Sequence, residues 1–208
     1  MKDKQKSIRI IKRIIFGTAI AVVILLVAVF ALSLLNTALT DKVGFTDKVE
    51  GIYYFEADYS ENVNDDIVYL SETRDLWFEV NGFGEYVTSE NLNASSESAK
   101  FFYNYFKVVI GGDYTAYKEL LDNTFFKYYS APEKFTGQKI YDIKVEFVNS
   151  ETKDNCVYET YNVKYKIMKN NGTFRADVSS NEVKPIVIVL KKSENSIKIS
   201  AIFPYRER

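Results

Sequence analysis

The distribution of apolar residues divides the chain into an uncharged stretch near its start and a longer patterned region. Residues 14–35 form a run of 22 residues without a charged side chain. Beyond residue 49, apolar and polar residues alternate over short runs, which is typical of strands. Between residues 96 and 121 the apolar residues recur at helical spacing, and after residue 138 the alternation returns. The pattern predicts one apolar helix followed by a region of strands and helices.

The uncharged stretch has the length of a membrane-spanning helix. At about 1.5 Å per residue it would be about 33 Å long, and the hydrocarbon core of a bilayer is about 30 Å thick. Residues 1–13 place six basic side chains and one acidic side chain before it. The positive-inside rule therefore keeps the N-terminus in the cytoplasm. We expect a single-pass cell-membrane protein that contacts the lipid bilayer through residues 14–35 and exposes its C-terminal domain outside the cytoplasm.

A cleaved signal peptide is the alternative interpretation of the same residues. Ala31-Leu32-Ser33 offers a small-x-small cleavage site, and the basic N-terminus fits a signal peptide. The apolar stretch exceeds the roughly 7–15 residues that are usual in signal peptides, which favours an uncleaved anchor.

The region after the anchor begins with a stalk and a β-rich extension. Residues 36–48 are polar and lack a period, which predicts the stalk, and residues 49–94 are predicted to be the extension. Runs of β-branched and aromatic residues predict its strands. These runs are Ile52-Tyr53-Tyr54-Phe55, Ile67-Val68-Tyr69-Leu70 and Leu76-Trp77-Phe78-Glu79-Val80. Asn81-Gly82-Phe83-Gly84 is predicted to be a turn.

Residues 95–208 are predicted to be the main domain, which begins with helices. Ser95 or Ser96 can cap a helix that ends at Gly111-Gly112, and Phe102 and Phe106 lie on its apolar face. Asp113 can cap a second helix in the same way. A third short helix is predicted over residues 123–129.

The last 70 residues are predicted to form antiparallel strands. Apolar residues alternate from Tyr141 to Phe147 and again from Val157 to Ile167. Asn170-Asn171-Gly172 is a hairpin signal, because Asn and Gly tolerate the positive φ of tight turns. Residues 185–191 and 197–203 are predicted to be a final pair of strands.

This order of elements resembles the NTF2-like superfamily, an α+β fold in which a curved sheet wraps helices into a cone. The likeness rests on the helix ending at Ile110, the junction Gly111-Gly112-Asp113-Tyr114 and the strands that follow Lys139, and it covers residues 95–204. The resemblance implies an NTF2-like (cystatin-like cone) domain over these residues. With the transmembrane helix and the β-rich segment inferred above, the expected fold class is α+β. A membrane anchor followed by one such domain is also similar in layout to VirB8-type and TcpC-type components of conjugative secretion machines.

Composition excludes several kinds of chemistry. The chain has no His, which excludes a His-based triad and His metal ligands, and its single Cys, Cys156, excludes an intramolecular disulfide and a multi-Cys zinc site. Residues 14–208 carry 21 basic and 27 acidic side chains, a balance that opposes nucleic-acid binding. We therefore expect no metal, no cofactor and no nucleic-acid partner.

Glu159 is the one candidate for a catalytic role. It is in register with Val157, Tyr161 and Tyr165, so in a regular strand it points to the apolar face, where its pKa would rise and it could act as a general base. The alternative is a position on the open rim of the sheet. Asp142 and Glu146 alternate with the apolar set and are predicted to be solvated, and Asp113 is better explained as a helix cap.

The sequence favours a non-enzymatic protein over an enzyme. The usual acid–base and metal arrangements are absent from its composition. We expect a scaffold or assembly component of an envelope or secretion complex, with protein partners or self-association. The alternative is a protein with an open cavity that binds a small molecule or acts as an isomerase or dehydratase. An interior filled by aromatic side chains would favour assembly, and an open pocket with Glu159 at its base would favour the alternative.

Overall fold

The computed structural model describes residues 51–206 of the chain. Within them, the helices are α1 (Ile67–Leu70), α2 (Glu97–Ile110), α3 (Tyr114–Glu119) and α4 (Phe125–Tyr128). The strands are β1 (Leu76–Val80), β2 (Phe83–Val87), β3 (Lys139–Lys153), β4 (Cys156–Met168), β5 (Ile186–Ser193) and β6 (Ser196–Pro204). Val63–Asp65 and Leu92–Ala94 form short 3-10 helices.

The strands form one six-stranded mixed sheet in the order β2-β1-β3-β4-β5-β6. Neighbouring strands are antiparallel except β1 and β3, which run parallel. We call the face that packs against α2 the inner face and the opposite face the outer face. The predicted strand regions at residues 139–168 and the predicted final pair are confirmed.

The helix α2 holds the core together. Ser96 caps it, because its side-chain oxygen accepts a hydrogen bond from the Ala99 N–H at 3.2 Å. Phe102 and Phe106 are buried, as predicted. Phe102 contacts the Tyr161 ring at a centroid distance of 4.9 Å, and Phe106 contacts the Tyr165 ring at 5.6 Å. These edge-to-face contacts join the helix to the inner face of β4.

The β1–β2 hairpin depends on two features of its sequence. Asn81 and Gly82 both have positive φ, 53° and 81°, which is the backbone of a type I′ turn. On the outer face the Trp77 side chain lies across Gly84, where a Cβ would come within 2.3 Å of a ring carbon of Trp77. The Trp77 ring also meets the Tyr86 ring edge-on at 5.0 Å. The predicted turn is confirmed for Asn81 and Gly82 and is wrong for Phe83 and Gly84, which begin β2; there Gly84 makes room for an aromatic cluster.

Two of the predicted strands in the β-rich extension are wrong. Residues 52–55 belong to no strand, although the Phe55 N–H bonds to the Asn170 carbonyl at 2.9 Å. Residues 67–70 form α1 instead, because the Asp66 carboxylate accepts hydrogen bonds from the N–H groups of Val68 and Tyr69. This cap outweighs the strand preference of a four-residue apolar run.

The predicted hairpin at Asn170-Asn171-Gly172 is also wrong, because no strand follows it before β5. The buried Asn170 side chain donates to the carbonyls of Arg175 and Val178, both at 2.8 Å. The Gly172 N–H in turn donates to the Asn170 side-chain oxygen at 3.0 Å. These side-chain bonds replace a strand ladder and fold the segment into an ordered loop.

The predicted fold class, an NTF2-like α+β cone behind a transmembrane helix and a separate β-rich segment, is wrong. The structure is a mixed six-stranded sheet with few helices, and within residues 51–206 only α2 exceeds six residues. The supposed extension contributes β1, whose Leu76 pairs with Ile143 of β3. Leu76 and Phe78 are buried in the main core. The physical reason is that Leu76 and Phe78 bury their apolar side chains in the core on the inner face, which stabilises β1 as part of the sheet.

The membrane predictions are corrected as well. The predicted anchor at residues 14–35, the basic tail and the stalk lie outside the described residues. Among residues 51–206, no helix is both long enough and apolar enough to cross a bilayer. The described residues thus give no support to a single-pass anchor or to the membrane location and topology derived from it.

A matched pair of substitutions tests the role of α2 in the core. We expect Phe102→Ala to lower the free energy of unfolding by about 3–5 kcal/mol, because the ring is completely buried and its removal leaves a cavity. Phe83→Ala should change it by about 0.5 kcal/mol or less, since 84% of Phe83 is exposed. Urea denaturation of both variants measures the difference, and equal losses would contradict the assignment of the core.

A second substitution tests the close approach at Gly84. Gly84→Ala should displace the Trp77 ring and lower the free energy of unfolding by about 1–3 kcal/mol, the usual cost of overpacking. Trp77 is the single Trp of the chain, so its fluorescence reports the displacement directly. The neighbouring exposed Glu85→Ala is the control and should leave the emission maximum unchanged. An unshifted emission maximum in Gly84→Ala would refute the contact.

Candidate functional site

Glu159 lies on the inner face, near the end of the sheet where α2 begins. Its carboxylate accepts hydrogen bonds from the Ser98 hydroxyl at 2.6 Å and the Tyr161 hydroxyl at 2.8 Å. The Lys192 ammonium lies 3.1 Å from the other carboxylate oxygen. Both sequence interpretations are therefore partly right: Glu159 points to the inner face, and 16% of its side chain is exposed at the rim.

The environment of Glu159 lowers its pKa instead of raising it. Burial alone would raise the pKa, but the hydrogen bonds from Ser98 and Tyr161 and the nearby Lys192 outweigh burial and hold it below the usual range. The expectation of a raised pKa is thus wrong. A carboxylate with a lowered pKa is a weak proton acceptor, so this arrangement does not favour general-base chemistry.

The cluster around Glu159 is well suited to a structural task. Ser98 lies in the first turn of α2, Glu159 belongs to β4 and Lys192 belongs to β5. The Lys192 ammonium is also 3.3 Å from the Ser98 hydroxyl. One ion pair and its hydrogen bonds therefore join three elements. Sequence analysis missed Ser98 and Lys192 as partners of Glu159. Both are far from Glu159 in sequence, and Lys192 comes beside it only because β4 pairs with β5.

The other acids considered in the sequence have structural surroundings. The Asp113 carboxylate caps α3 by accepting a hydrogen bond from the Ala116 N–H at 2.9 Å, as predicted. Asp142 is exposed and pairs with Lys166 at 2.8 Å. Glu146 also belongs to β3 and is half-buried. Cys156 is a free, half-buried thiol. Within residues 51–206, no three His, Cys, Asp or Glu side chains come together as a set that could hold a metal ion.

Aromatic rings fill the space between α2 and the sheet. Phe78, Phe102 and Tyr161 pack against one another at one end. At the other end Tyr117 meets Phe135 and Phe174, with ring centroids 5.5 and 5.7 Å apart. A cavity of about 10 Å³, about the space of one water molecule, remains beside Tyr105, Tyr117 and Tyr165. A larger recess of about 500 Å³, lined in part by Phe106 and by Leu76 and Ile143 of the sheet, lies at the end of α2.

A buried ion pair lies beside this small cavity. Arg175 is 3% exposed, and two of its guanidinium nitrogens contact the Asp177 carboxylate at 2.6 and 2.8 Å. Burial would lower the pKa of Arg175, but Tyr165 and Asp177 outweigh it and raise the pKa; the same guanidinium lowers the pKa of Asp177 against the effect of burial. Both groups are therefore fixed ions. Sequence reasoning missed them because they lie in a loop without a period.

The outer face carries a larger recess, which we call the outer groove. It has a volume of about 910 Å³. Its lining includes Val148, Thr160, Asn162, Val187, Phe203 and Tyr205. Arg206, at one end, is the one charged residue among the described residues that line it. Val148, Phe203 and Tyr205 are 47%, 37% and 40% exposed, so apolar side chains line an open surface.

Hydrogen bonds from outside the sheet cover part of each of its edges. At β2 the Asn91 side-chain amide donates a hydrogen bond to the Tyr86 carbonyl at 2.7 Å. At β6 the Ile199 N–H and carbonyl bond to Leu120 and Asp122, both at 2.8 Å, and Pro204 supplies no N–H. Such devices suppress edge-to-edge association. Contact through the sheet is therefore better served by the outer face.

No protein-family model, curated protein or solved structure matches this chain.

The Glu159–Lys192 pair makes a pH-dependent contribution that can be measured. We expect Glu159→Gln to lower the free energy of unfolding at pH 7 by about 1 kcal/mol, since the charged hydrogen bonds are lost. Because the pKa of Glu159 is lowered in the folded state, this stabilisation is present above the unfolded pKa of about 4.3 and is lost as the pH falls through the folded pKa.

Urea denaturation at pH 7, 5 and 3 measures this difference. The gap between the parent protein and Glu159→Gln should narrow towards pH 3. Glu151→Gln, at an exposed position of β3, is the matched control. A gap that stays constant from pH 7 to 3, or that widens, would contradict the ion-pair assignment.

Proposed function

We propose that the described domain is a non-catalytic assembly module that binds a second copy of the same chain through the outer groove. The observation that carries the proposal is the contrast between the two faces of the sheet. Between α2 and β4 the inner face leaves a space of about 10 Å³. Its larger recess, of about 500 Å³ at the end of α2, is lined in part by the exposed charged residues Arg74, Asp75 and Lys107. The outer groove offers about 910 Å³ and is lined by exposed apolar side chains.

The aromatic packing between α2 and β4 supports a non-catalytic role. The recess at the end of α2 is open, with the exposed residues Arg74, Asp75 and Lys107 in its lining. An isomerase or dehydratase of the cavity type needs an enclosed space for its substrate, and pockets for such ligands are usually about 300–1,000 Å³. Tyr161 and Tyr165 do not form a pocket with Glu159, because Tyr165 bonds to Arg175 at 3.3 Å instead. Glu159 itself is held in an ion pair. These observations favour the assembly alternative.

The composition of the outer groove supports recognition of another protein. Solvated sheet faces normally alternate polar residues with buried apolar ones. Here the outer positions Val187 and Phe203, which pair across β5 and β6, are both apolar. Beyond the groove the outer face becomes charged, with Lys144 paired against Lys164 across β3 and β4. Depletion of charge at the centre and polar residues at the rim are features of protein interfaces.

A second copy is the partner that this surface fits best. A groove almost without charge requires a partner surface that is also almost without charge. The same face supplies both a recess and partly exposed aromatic side chains, Phe203 and Tyr205, that can enter a recess. A two-fold interface needs such self-complementarity, and two sheets that pack face to face bury their apolar side chains.

Sedimentation equilibrium of the full chain tests the proposal with a matched pair of substitutions. Phe203→Lys should weaken self-association about 30-fold, because loss of a central aromatic contact costs about 2 kcal/mol and a charge enters an apolar interface. Phe83→Lys changes an aromatic residue that is 84% exposed on β2 and should leave self-association unchanged.

The comparison between these variants isolates the contribution of the outer groove from that of any other segment. Thermal unfolding of both variants controls for loss of fold. Equal association of Phe203→Lys and the parent chain, or a parent chain that is monomeric at 0.1 mM (roughly the concentration at which micromolar interfaces are saturated), would refute the proposal.

A further inference from the structure

The chain contains two Asn-Gly pairs, Asn81-Gly82 and Asn171-Gly172, and they lie in very different surroundings. In such a pair the backbone nitrogen of Gly can attack the side-chain carbonyl carbon of Asn, because Gly has no Cβ to hinder the approach. The reaction requires a Gly nitrogen without another hydrogen-bond partner and an Asn side chain that can turn towards it. The two pairs can therefore be compared by what holds these two groups.

At Asn171-Gly172 both groups are held by hydrogen bonds. The Gly172 N–H donates to the buried Asn170 side-chain oxygen at 3.0 Å. The Asn171 amide nitrogen donates to the Thr136 hydroxyl at 2.7 Å. The Asn171 amide oxygen accepts from the Thr173 N–H at 3.1 Å and from the Thr173 hydroxyl at 2.7 Å. The loop would have to break these bonds before the side chain could reach the Gly172 nitrogen.

The Tyr54 ring adds a steric restraint at the same pair. Gly172 is buried against this ring, and a Cβ on Gly172 would come within 2.7 Å of a ring carbon. Water, which is needed to complete the reaction, therefore has little access to the Gly172 backbone.

Asn81-Gly82 lacks these restraints. The pair forms the tip of the β1–β2 hairpin, both residues are exposed, and a Cβ on Gly82 would meet no atom within 4 Å. Among residues 51–206, nothing accepts a hydrogen bond from the Gly82 N–H, and no hydrogen bond holds the Asn81 side chain. Exposed loop tips of this kind open locally at a small cost in free energy.

We infer that Asn81 is a site of spontaneous covalent modification in the folded protein, whereas the fold protects Asn171. The Gly82 nitrogen forms a bond to the Asn81 Cγ atom, and the bond from Cγ to Nδ2 breaks. Ammonia leaves with the proton of the Gly82 N–H, and a succinimide ring remains. Water then adds to one of the two ring carbonyls and opens the ring, so the product is aspartate or isoaspartate.

The modification alters the hairpin that carries it. Either product adds a negative charge at the tip, and isoaspartate also lengthens the backbone by a methylene group. The register of the hairpin pairs Val80 with Phe83 across a two-residue turn, which a longer backbone no longer fits. The strand affected is β2, which lies at the edge of the sheet and pairs with β1 alone.

Peptide mapping by mass spectrometry tests the inference on the full chain, incubated at mildly alkaline pH, where the Gly nitrogen loses its proton more readily. In the folded chain Asn81 should be converted at least about tenfold faster than Asn171, which must first lose its hydrogen bonds. In concentrated urea the two pairs should react at similar rates, because the protection of Asn171 is lost.

A matched pair of substitutions tests the cause of the protection. Thr173→Val removes the hydroxyl that bonds to the Asn171 amide oxygen and should speed the conversion of Asn171 about fivefold, with Asn81 unchanged. Thr152→Val, at an exposed position of β3, is the control and should leave both rates unchanged. Thermal unfolding confirms that both variants are folded.

The comparison in the parent chain decides the matter even if Thr173→Val fails to fold. Faster conversion of Asn81 in the folded chain, with similar rates in urea, supports the inference. Equal rates in the folded chain would overturn it, as would an intact Asn81 in the folded chain after its complete conversion in urea. A preference for Asn81 that persists in urea would assign the difference to the neighbouring sequence and would also overturn it.

Discussion

The described fold depends on one helix that must cover the inner face of six strands. The helix α2 has 14 residues and is about 21 Å long, whereas β3 alone has 15 residues and extends to about 50 Å. A single helix can shield so large a sheet only with large side chains. Phe102, Phe106 and their aromatic neighbours on the sheet meet this need, because each ring buries roughly 150–250 Å². The same rings leave a space of only about 10 Å³ beside Tyr105, Tyr117 and Tyr165, so the tight centre of the core follows from how the helix is packed on the sheet.

The irregular segments are held by polar side chains where the helix cannot reach. Asn170 organises the loop before β5, Arg175 and Asp177 fix its second half, and Lys139 ties the segment before α1 to the start of β3. Each of these buried groups has its hydrogen bonds satisfied within the loop or strand that it joins. Polar bonds therefore close this side of the domain, and its shape depends on single side chains instead of on a regular element.

Periodic elements could be predicted from the sequence, and irregular ones could not. The face of α2, the Asp113 cap and strands β3 to β6 follow from spacing and capping, which are local properties. Residues 67–70 and 170–172 were predicted wrongly because side-chain bonds from Asp66 and Asn170 outweigh strand and hairpin preferences. The parallel pairing of β1 with β3 joins residues about 67 positions apart in sequence, and no local pattern encodes it. The contacts of Glu159 with Ser98 and Lys192 likewise join residues that are far apart in sequence.

The ionisable groups show what this fold does with charge. The pKa of Glu159 and that of Asp177 are lowered, and the pKa of Arg175 is raised, so each group is stabilised in its charged form against the effect of burial. General acid–base catalysis requires the reverse, a group whose pKa lies near the working pH. Ions of this kind keep their charge at neutral pH and hold helices, strands and loops in place. The outer groove differs from them because it is lined by apolar side chains and is almost without charge, so shape and burial of apolar surface would determine what binds there.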